Sequence, residues 1–332
     1  MKTIQLSHGG GGEASNTLIN ELFYKHFHNE ILIKAEDAAV LTVEKQIAFT
    51  TDSFTVTPLF FNGGDIGKLA IAGTVNDLSM MGAKPLYLSA SFIIEEGFSL
   101  ESLESIVDSM ATELKMSGAK IVCGDTKVVP KGSVDEIFIN TSGIGEIQQT
   151  NISASNLSED DMIIVSRDIG RHEATLLMTR QELSISGNLE SDCQTLWPVI
   201  NELLQANLSI KAMRDATRGG LSAVLNEWAD SSKVCIEIDE VKVPIADEVK
   251  GICELFGFDA LDFANEGTFI LAVKPDDVSK ALEVLKKFSF SQNGTSIGKV
   301  THKHNQKVIL HSAHGSSRFL DLPKGELLPR IC

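Results

Sequence analysis

Apolar positions in the first half of the chain follow two rhythms. Leu100, Leu103, Ile106, Val107, Met110 and Leu114 recur at helical spacing, with Ser99 placed to cap the first turn and Gly118 placed to end the last in a left-handed conformation. A strand is predicted directly after it, from Lys120 to Cys123. A second helix is predicted from near Asp65 to Gly82, where Pro85 bars its continuation and the run 86–94 reads as the next strand. Strands and amphipathic helices thus alternate between Ile31 and Ile147, with acidic residues beside their ends.

The stretch 148–161 is polar, rich in Ser and Asn and without periodicity, which marks a domain boundary. Beyond it, strands over 162–166, 234–238 and 268–273 interleave with helices over 172–182, 220–231 and 276–288, a second α/β unit. From Asp321 the chain carries Pro323, Gly325 and Pro329 and ends Pro329-Arg330-Ile331-Cys332, which predicts an extended tail. The expected organisation is a glycine-rich leader over 1–30, α/β domains over 31–150 and 151–312, and a tail over 313–332 carrying the last cysteine.

With 332 residues, 43% of them apolar, the chain can bury a core of two-domain size. It has no apolar run of membrane-spanning length and no apolar segment near Met1, so a cytoplasmic protein without a membrane anchor is expected. Its net charge of −16 repels a phosphate backbone, which excludes nucleic acid as the expected partner. Five widely spaced cysteines without a Cys-x-x-Cys pair fit a reducing compartment; Cys123, Cys193, Cys235 and Cys253 read as core thiols.

Several segments bear on chemistry. His8 to Gly12 and Gly63-Gly64-Asp65-Ile66-Gly67-Lys68 can turn backbone N–H groups toward an anion, the second at a helix start with a lysine beside it. The second is no Walker A loop, because only three residues separate Gly63 from Gly67 and Leu69 stands where Ser or Thr is required. Gly143-Ile144-Gly145 reaches Gln148 where the dinucleotide fingerprint needs glycine. Aspartates recur in polar, turn-like contexts: Glu36-Asp37, Thr51-Asp52-Ser53, Asn76-Asp77 and Gly124-Asp125-Thr126. Carboxylates do not face a triphosphate directly, but they can hold magnesium, which bridges phosphates and neutralises charge. Lys127 follows one of them, Arg214-Asp215-Ala216-Thr217-Arg218-Gly219-Gly220 brings two cations to a helix start, and Glu266 precedes an apolar strand, a place that suits either a desolvated carboxylate base or a capping or turn residue. The spacings of His302, His304, His311 and His314 suit solvated side chains better than a zinc site. Cys332 differs from the other cysteines: a dozen extended residues reach on the order of 40 Å, so the terminal thiol can act as a swinging carrier.

Taken together, the leader His8 to Gly12, the run Phe60 to Ala70, Gly73-Thr74-Val75-Asn76-Asp77, Gly124 to Val129, Asn265-Glu266-Gly267 and the Pro-Arg-Ile-Cys terminus resemble the HypE family of hydrogenase maturation proteins along nearly the whole chain. That family is similar to aminoimidazole ribonucleotide synthetase (PurM-like) enzymes. The resemblance implies a two-domain PurM-like α/β fold, an N-terminal ATP-binding domain whose strands dimerise, and ATP used without a P-loop. It implies ATP-dependent dehydration of an S-carboxamide on Cys332 to a thiocyanate, supplying the cyanide ligand of iron in nickel-iron hydrogenase. Partners implied are the carbamoyltransferase HypF, the HypC-HypD iron scaffold and a second copy of the chain. Carried over residue by residue, Cys332 holds the carboxamide, Glu266 takes protons from its nitrogen and Lys127 supports charge on its oxygen. Asp37, Asp52, Asp77 and Asp125 are the expected magnesium ligands, and Lys68, Asn76 and Thr126 join them in the ATP site. Where the family reads Gly-Asp-His-Gly, this chain has Gly170-Arg171-His172-Glu173, so no catalytic step is assigned to His172. Selenophosphate synthetase, thiamine monophosphate kinase and the purine enzyme itself are related alternatives that need no terminal cysteine; a nucleotide-binding scaffold without activity is a further one.

Overall fold

The computed structural model describes residues 3–9, 13–34, 39, 41–180, 188–323, 328 and 330–332. Among these, the first domain contains β1 (Ile47–Phe54), α1 (Ile66–Met80), β2 (Ala83–Glu95), α2 (Leu100–Ser117), β3 (Lys120–Val129) and β4 (Ile137–Ile147). The strands form one sheet in the order β1-β4-β2-β3, with β2 and β3 parallel on either side of α2 and the other neighbours antiparallel.

Local chemistry sets the helix ends. The Asp65 carboxylate accepts the N–H groups of Gly67 at 2.7 Å and Lys68 at 3.0 Å, capping α1. Ser99 caps α2 through the N–H of Ser102, and Gly118 ends it at φ 74°. The two helices approach so closely that a β-carbon at Gly67 would sit 2.2 Å from the Ile106 carbonyl oxygen.

Strand parity positions the rest. Ala48, Thr50, Asp52 and Phe54 of β1 face the helices, whereas Ile47, Phe49, Thr51 and Ser53 face outward and are exposed. On β3, Asp125 and Lys127 pair with Ser91 and Ile93 and lie on that same exposed face. The expected turn contexts are corrected here. Asp52 and Asp125 are strand residues and Asp77 lies inside α1, because β-branched Thr126, Val128 and Val129 carry β3 straight through its glycine. Cys123 is corrected as well: it stands on the exposed face of β3, while Cys193, Cys235 and Cys253 are buried.

The second domain contains β5 (Met162–Val165), α3 (Arg171–Arg180), α4 (Trp197–Gln205), β6 (Ile210–Asp215), α5 (Gly220–Ser232), β7 (Cys235–Asp239), α6 (Asp247–Phe256), β8 (Phe269–Val273), α7 (Val278–Leu285), β9 (Thr295–Thr301), β10 (Lys307–His311) and β11 (Ser317–Phe319). Its strands run in the order β11-β10-β7-β9-β5-β8-β6, mostly antiparallel. A continuous core joins α1 and α2 of the first domain to α4 and α7 of the second. The joint is sewn by the segment 189–196. Ser191 N–H donates to Asn62 O, Thr195 N–H to Glu113 and Leu196 N–H to Asn76, all on the first domain. Among the described residues no helix is long and apolar enough to cross a membrane.

Candidate active site

Between the domains lies a cavity of about 460 Å³. Thr50 and Asp52 reach it from the covered face of β1, Gly73 and Asp77 from one face of α1, and Arg214, Asp215 and Arg218 from the corner between β6 and α5. Glu266, just before β8, closes the wall. Gly73 is required at this contact: a β-carbon there would meet the Phe54 ring at 2.9 Å, pushing α1 off β1. Asp77 follows one turn later and is held by the Thr50 hydroxyl, which donates to it at 2.7 Å.

Four carboxylates therefore share one small space, and each feels the cost. Burial pushes Asp52 up, with Arg218 drawing it partly back. Burial also raises Asp77, to which Asp52 adds. Asp215 is pushed to about 7, first by burial and then by Asp77. Glu266 is driven well above the ordinary carboxylate range by burial, with Asp215, Asp192, Asp52 and Asp77 all adding, and its Oε1 has no hydrogen-bond partner. Such a cavity favours protons or a cation, and Arg214 and Arg218 at its rim suit an anion carried with that cation.

The C-terminal tail ends in this cavity. Cys332 lines it, and its carbonyl oxygen accepts the N–H of Thr55 at 2.8 Å. Two residues back, Arg330 O accepts Thr57 N–H at 3.2 Å while Arg330 Nε donates to Thr55 O at 2.7 Å, so the tail pairs antiparallel with the chain leaving β1. The Arg330 guanidinium lies 5.6 Å from the Phe138 ring centre and pairs with Asp135. From α3, His172 Nε2 meets Ile331 O at 2.6 Å and Arg180 bonds the carbonyls of Arg330 and Thr57. The prolines predicted an extended tail and left its resting place open; Ile331 is only 6% exposed, since its side chain joins the core shared by the two domains.

Models of two linked domain families match the chain: AIR synthase related protein, N-terminal domain, over 35–147, and AIR synthase related protein, C-terminal domain, over 158–311. The carbamoyl dehydratase HypE of Escherichia coli K12 is 45% identical over the full length of both chains, and that of Rhodobacter capsulatus 40% over 99% of this chain and 98% of its own. The chain belongs to the HypE family. A HypE crystallised in complex with ATP superposes with a TM-score of 0.96 at 41% identity, covering 99% of this chain and 100% of the other. The HypE of a HypE-HypF complex superposes with a TM-score of 0.81 at 48% identity, over 92% and 99% of the two chains. A thiamine monophosphate kinase from Aquifex aeolicus, 19% identical with a TM-score of 0.62 over 90% and 98% of the chains, shares the fold alone.

Within this HypE chain the expected site residues divide. Asp52, Asp77, Glu266 and Cys332 meet at the cavity. Asp37 lies outside the described residues, as do Glu36 and Gly10 to Gly12. Asp125, Thr126 and Lys127 do not reach it within one chain: they stand on β3, three strands from β1, and Asp125 and Lys127 point from the opposite face of the sheet to Asp52, bonding each other at 3.2 Å. Lys68 does not line this cavity: its ammonium donates to Gly63 O at 2.9 Å, and the helix start beside it is capped by its own Asp65. Nor does Asn76 line it: its buried amide donates to Gln194 O at 3.0 Å and accepts Leu196 N–H at 2.8 Å, and so joins the domains.

Asp215 was passed over within a motif noticed for its arginines. His172 and Arg180 were missed as tail anchors. Only their spacing of two helical turns, 172 to 180, put them on one face of α3, and nothing in the chain announced that the face met the tail.

Proposed function

We propose that this chain is an ATP-dependent carbamoyl dehydratase acting on its own Cys332, making the thiocyanate from which nickel-iron hydrogenase takes its cyanide ligand. One observation carries the reading: the terminal cysteine lines, in its own chain, the cavity that holds Asp52, Asp77, Asp215 and Glu266. A dehydratase of 45% identity over the full length, and a HypE structure holding ATP at a TM-score of 0.96, support it over a nucleotide-binding scaffold.

The chemistry follows from the lining. The carboxamide oxygen on Cys332 attacks the γ-phosphorus of ATP and ADP departs, so a poor leaving oxygen becomes part of a phosphate. Loss of two protons from nitrogen and cleavage of the C–O bond then give S–C≡N and phosphate. Glu266 takes a proton from that nitrogen: the burial that raises its affinity for a proton makes its ionised form a strong base. Arg214, braced by Glu227 at 2.7 Å, and Arg218 also line the cavity and would meet the phosphates there.

Magnesium fits the all-oxygen donor set of Asp52, Asp77 and Asp215, whose mutual repulsion it would relieve by supplying positive charge beside the phosphates. Among the described residues no three carboxylate, histidine or thiol side chains come close enough to enclose an ion by themselves, so these aspartates would hold magnesium only together with oxygens from outside the chain.

The chain works as a homodimer through the exposed face of the first sheet, which carries Phe49, 68% exposed, and Ile47 at one end and Ile93 at the other. Asp125 and Lys127 stand on that face, so their roles in phosphate binding and charge support are exercised in the partner's cavity. HypF supplies the carbamoyl group, the HypC-HypD complex receives cyanide, and the work is cytoplasmic. The test is single-turnover phosphate release from carbamoylated protein given MgATP. One phosphate per chain is expected, none from Cys332→Ala, and accumulation of the carbamoylated or phosphorylated form in Glu266→Gln. Full release from Cys332→Ala would refute the reading.

A further inference from the structure

Hydrogen bonds from the tail reach the segment 191–193, which in turn grips the segment that carries Glu266. The His172 ring is fully buried, with Nε2 2.6 Å from Ile331 O and Nδ1 2.7 Å from Ser191 Oγ. A carbonyl oxygen only accepts, so Nε2 carries the ring proton. Burial pushes the imidazole's pKa down, which keeps the ring neutral and leaves Nδ1 as the acceptor of the Ser191 hydroxyl. Ser191 Oγ in turn accepts the N–H of Cys193 at 3.0 Å. The Phe61 ring packs against the imidazole at 84°, with ring centres 5.3 Å apart.

The residue between these two, Asp192, grips the segment that carries Glu266. Its carboxylate accepts the N–H groups of Glu266 at 3.1 Å and Gly267 at 3.0 Å and the Thr268 hydroxyl at 2.7 Å. A β-carbon at Gly267 would lie 1.8 Å from the Asp192 carbonyl oxygen, so the two backbones are in direct contact. Ser191 to Cys193 is therefore a strap with the tail on one side, reached through His172, and Glu266 on the other.

We propose that His172 is a positioning residue that couples seating of the C-terminal tail to placement of Glu266, through the strap 191–193. When Ile331 O closes the chain, the imidazole, Ser191 and Asp192 are held in one arrangement and the base is set as its substrate arrives. When the tail leaves to collect a carbamoyl group, the ring loses its acceptor and the strap loosens. This coupling rests on the roles of Cys332 and Glu266 given above.

The test uses the full-length chain and the variants His172→Phe, His172→Gln and Ser191→Ala. Three readouts apply: alkylation of Cys332 by N-ethylmaleimide, followed by mass on the C-terminal peptide; amide exchange at Thr55, Thr57 and Gly267; and single-turnover dehydration. In His172→Phe the loss of one hydrogen bond to the tail should speed Cys332 alkylation and exchange at Thr55 and Thr57 by about fivefold to tenfold. Gly267 exchange should rise with them, and turnover should fall on a similar scale with KM for MgATP unchanged. His172→Gln, which keeps an N–H donor, should recover most of both.

Unchanged alkylation in His172→Phe overturns the proposal. So does a freed tail with Gly267 still protected, since seating and base placement would then be separate. Should His172→Phe fail to fold, Ser191→Ala, which removes a single hydroxyl, must show the same pattern at smaller amplitude, and its absence is equally fatal. Alkylation and exchange need no turnover, so a chain unable to dehydrate its carboxamide would refute the assigned function while these two readouts still decide the coupling.

Discussion

Glu173 is a buried carboxyl at the start of α3, and it sets a pH dependence that can be worked out. Its side chain is 2% exposed at the start of α3; Oε2 accepts the N–H of Ala264 at 2.7 Å and Oε1 has no partner. Burial pushes its pKa from the ordinary 4.5 to about 7, with Asp262 adding and the Ala264 hydrogen bond opposing. Because the folded pKa is the higher one, the folded chain binds the extra proton between those two values and stability falls as pH rises through that window. The difference between 4.5 and about 7 corresponds to about 3 kcal/mol, present below pH 4.5 and gone above pH 7. Glu173→Gln cannot ionise, and its amide oxygen can still accept from Ala264. Its stability relative to the parent, from urea unfolding at several pH values, should therefore grow in its favour by about 3 kcal/mol between pH 4.5 and 7 and then level off. A difference that is constant across that range would refute the burial of an ionisable, half-satisfied carboxyl at this position.

Gly67→Ala should lower the melting temperature markedly or prevent soluble expression, since its β-carbon would lie 2.2 Å from a backbone oxygen of α2 and overpacking of this kind costs about 1–3 kcal/mol or more. Asp77→Asn can keep the hydrogen bond from Thr50 while removing one of the crowded charges, so thermal stability should hold or rise as MgATP affinity falls at least about tenfold by calorimetry. Lys127→Ala should be inactive as a homodimer, yet mixing it with Cys332→Ala should restore turnover on the intact Cys332, since the latter subunit supplies Lys127 to its partner; no restoration would place Lys127 outside the reaction.

The fold was legible where local chemistry decides. Ser99 and Gly118 announced the ends of α2, and the helix start near Asp65 was legible, because capping and a left-handed glycine stop are contacts within one turn; the periodic leucines of α2 pointed inward as expected. The site was only half legible. Asp52, Asp77, Glu266 and Cys332 line one cavity, but β1 carries Ile47 and Phe49 on one face and Ala48 and Phe54 on the other, so its alternation did not reveal which face the helices cover. Without that parity, Asp125 could not be told to point away from Asp52. The aspartates looked like turn residues because their neighbours are polar; pairing of β3 with β2 and burial of α1 overrode local preference. Asp215 and His172 act through partners more than a hundred residues away, Asp77 and Ile331, and no local spacing encodes such contacts.

The most direct measurement is the mass of the C-terminal peptide from protein carbamoylated at Cys332 and given MgATP for one turnover. Loss of one water, confined to the peptide ending Arg330-Ile331-Cys332 and absent without ATP, is the predicted result. A carboxamide that stays intact while ATP is hydrolysed would contradict it.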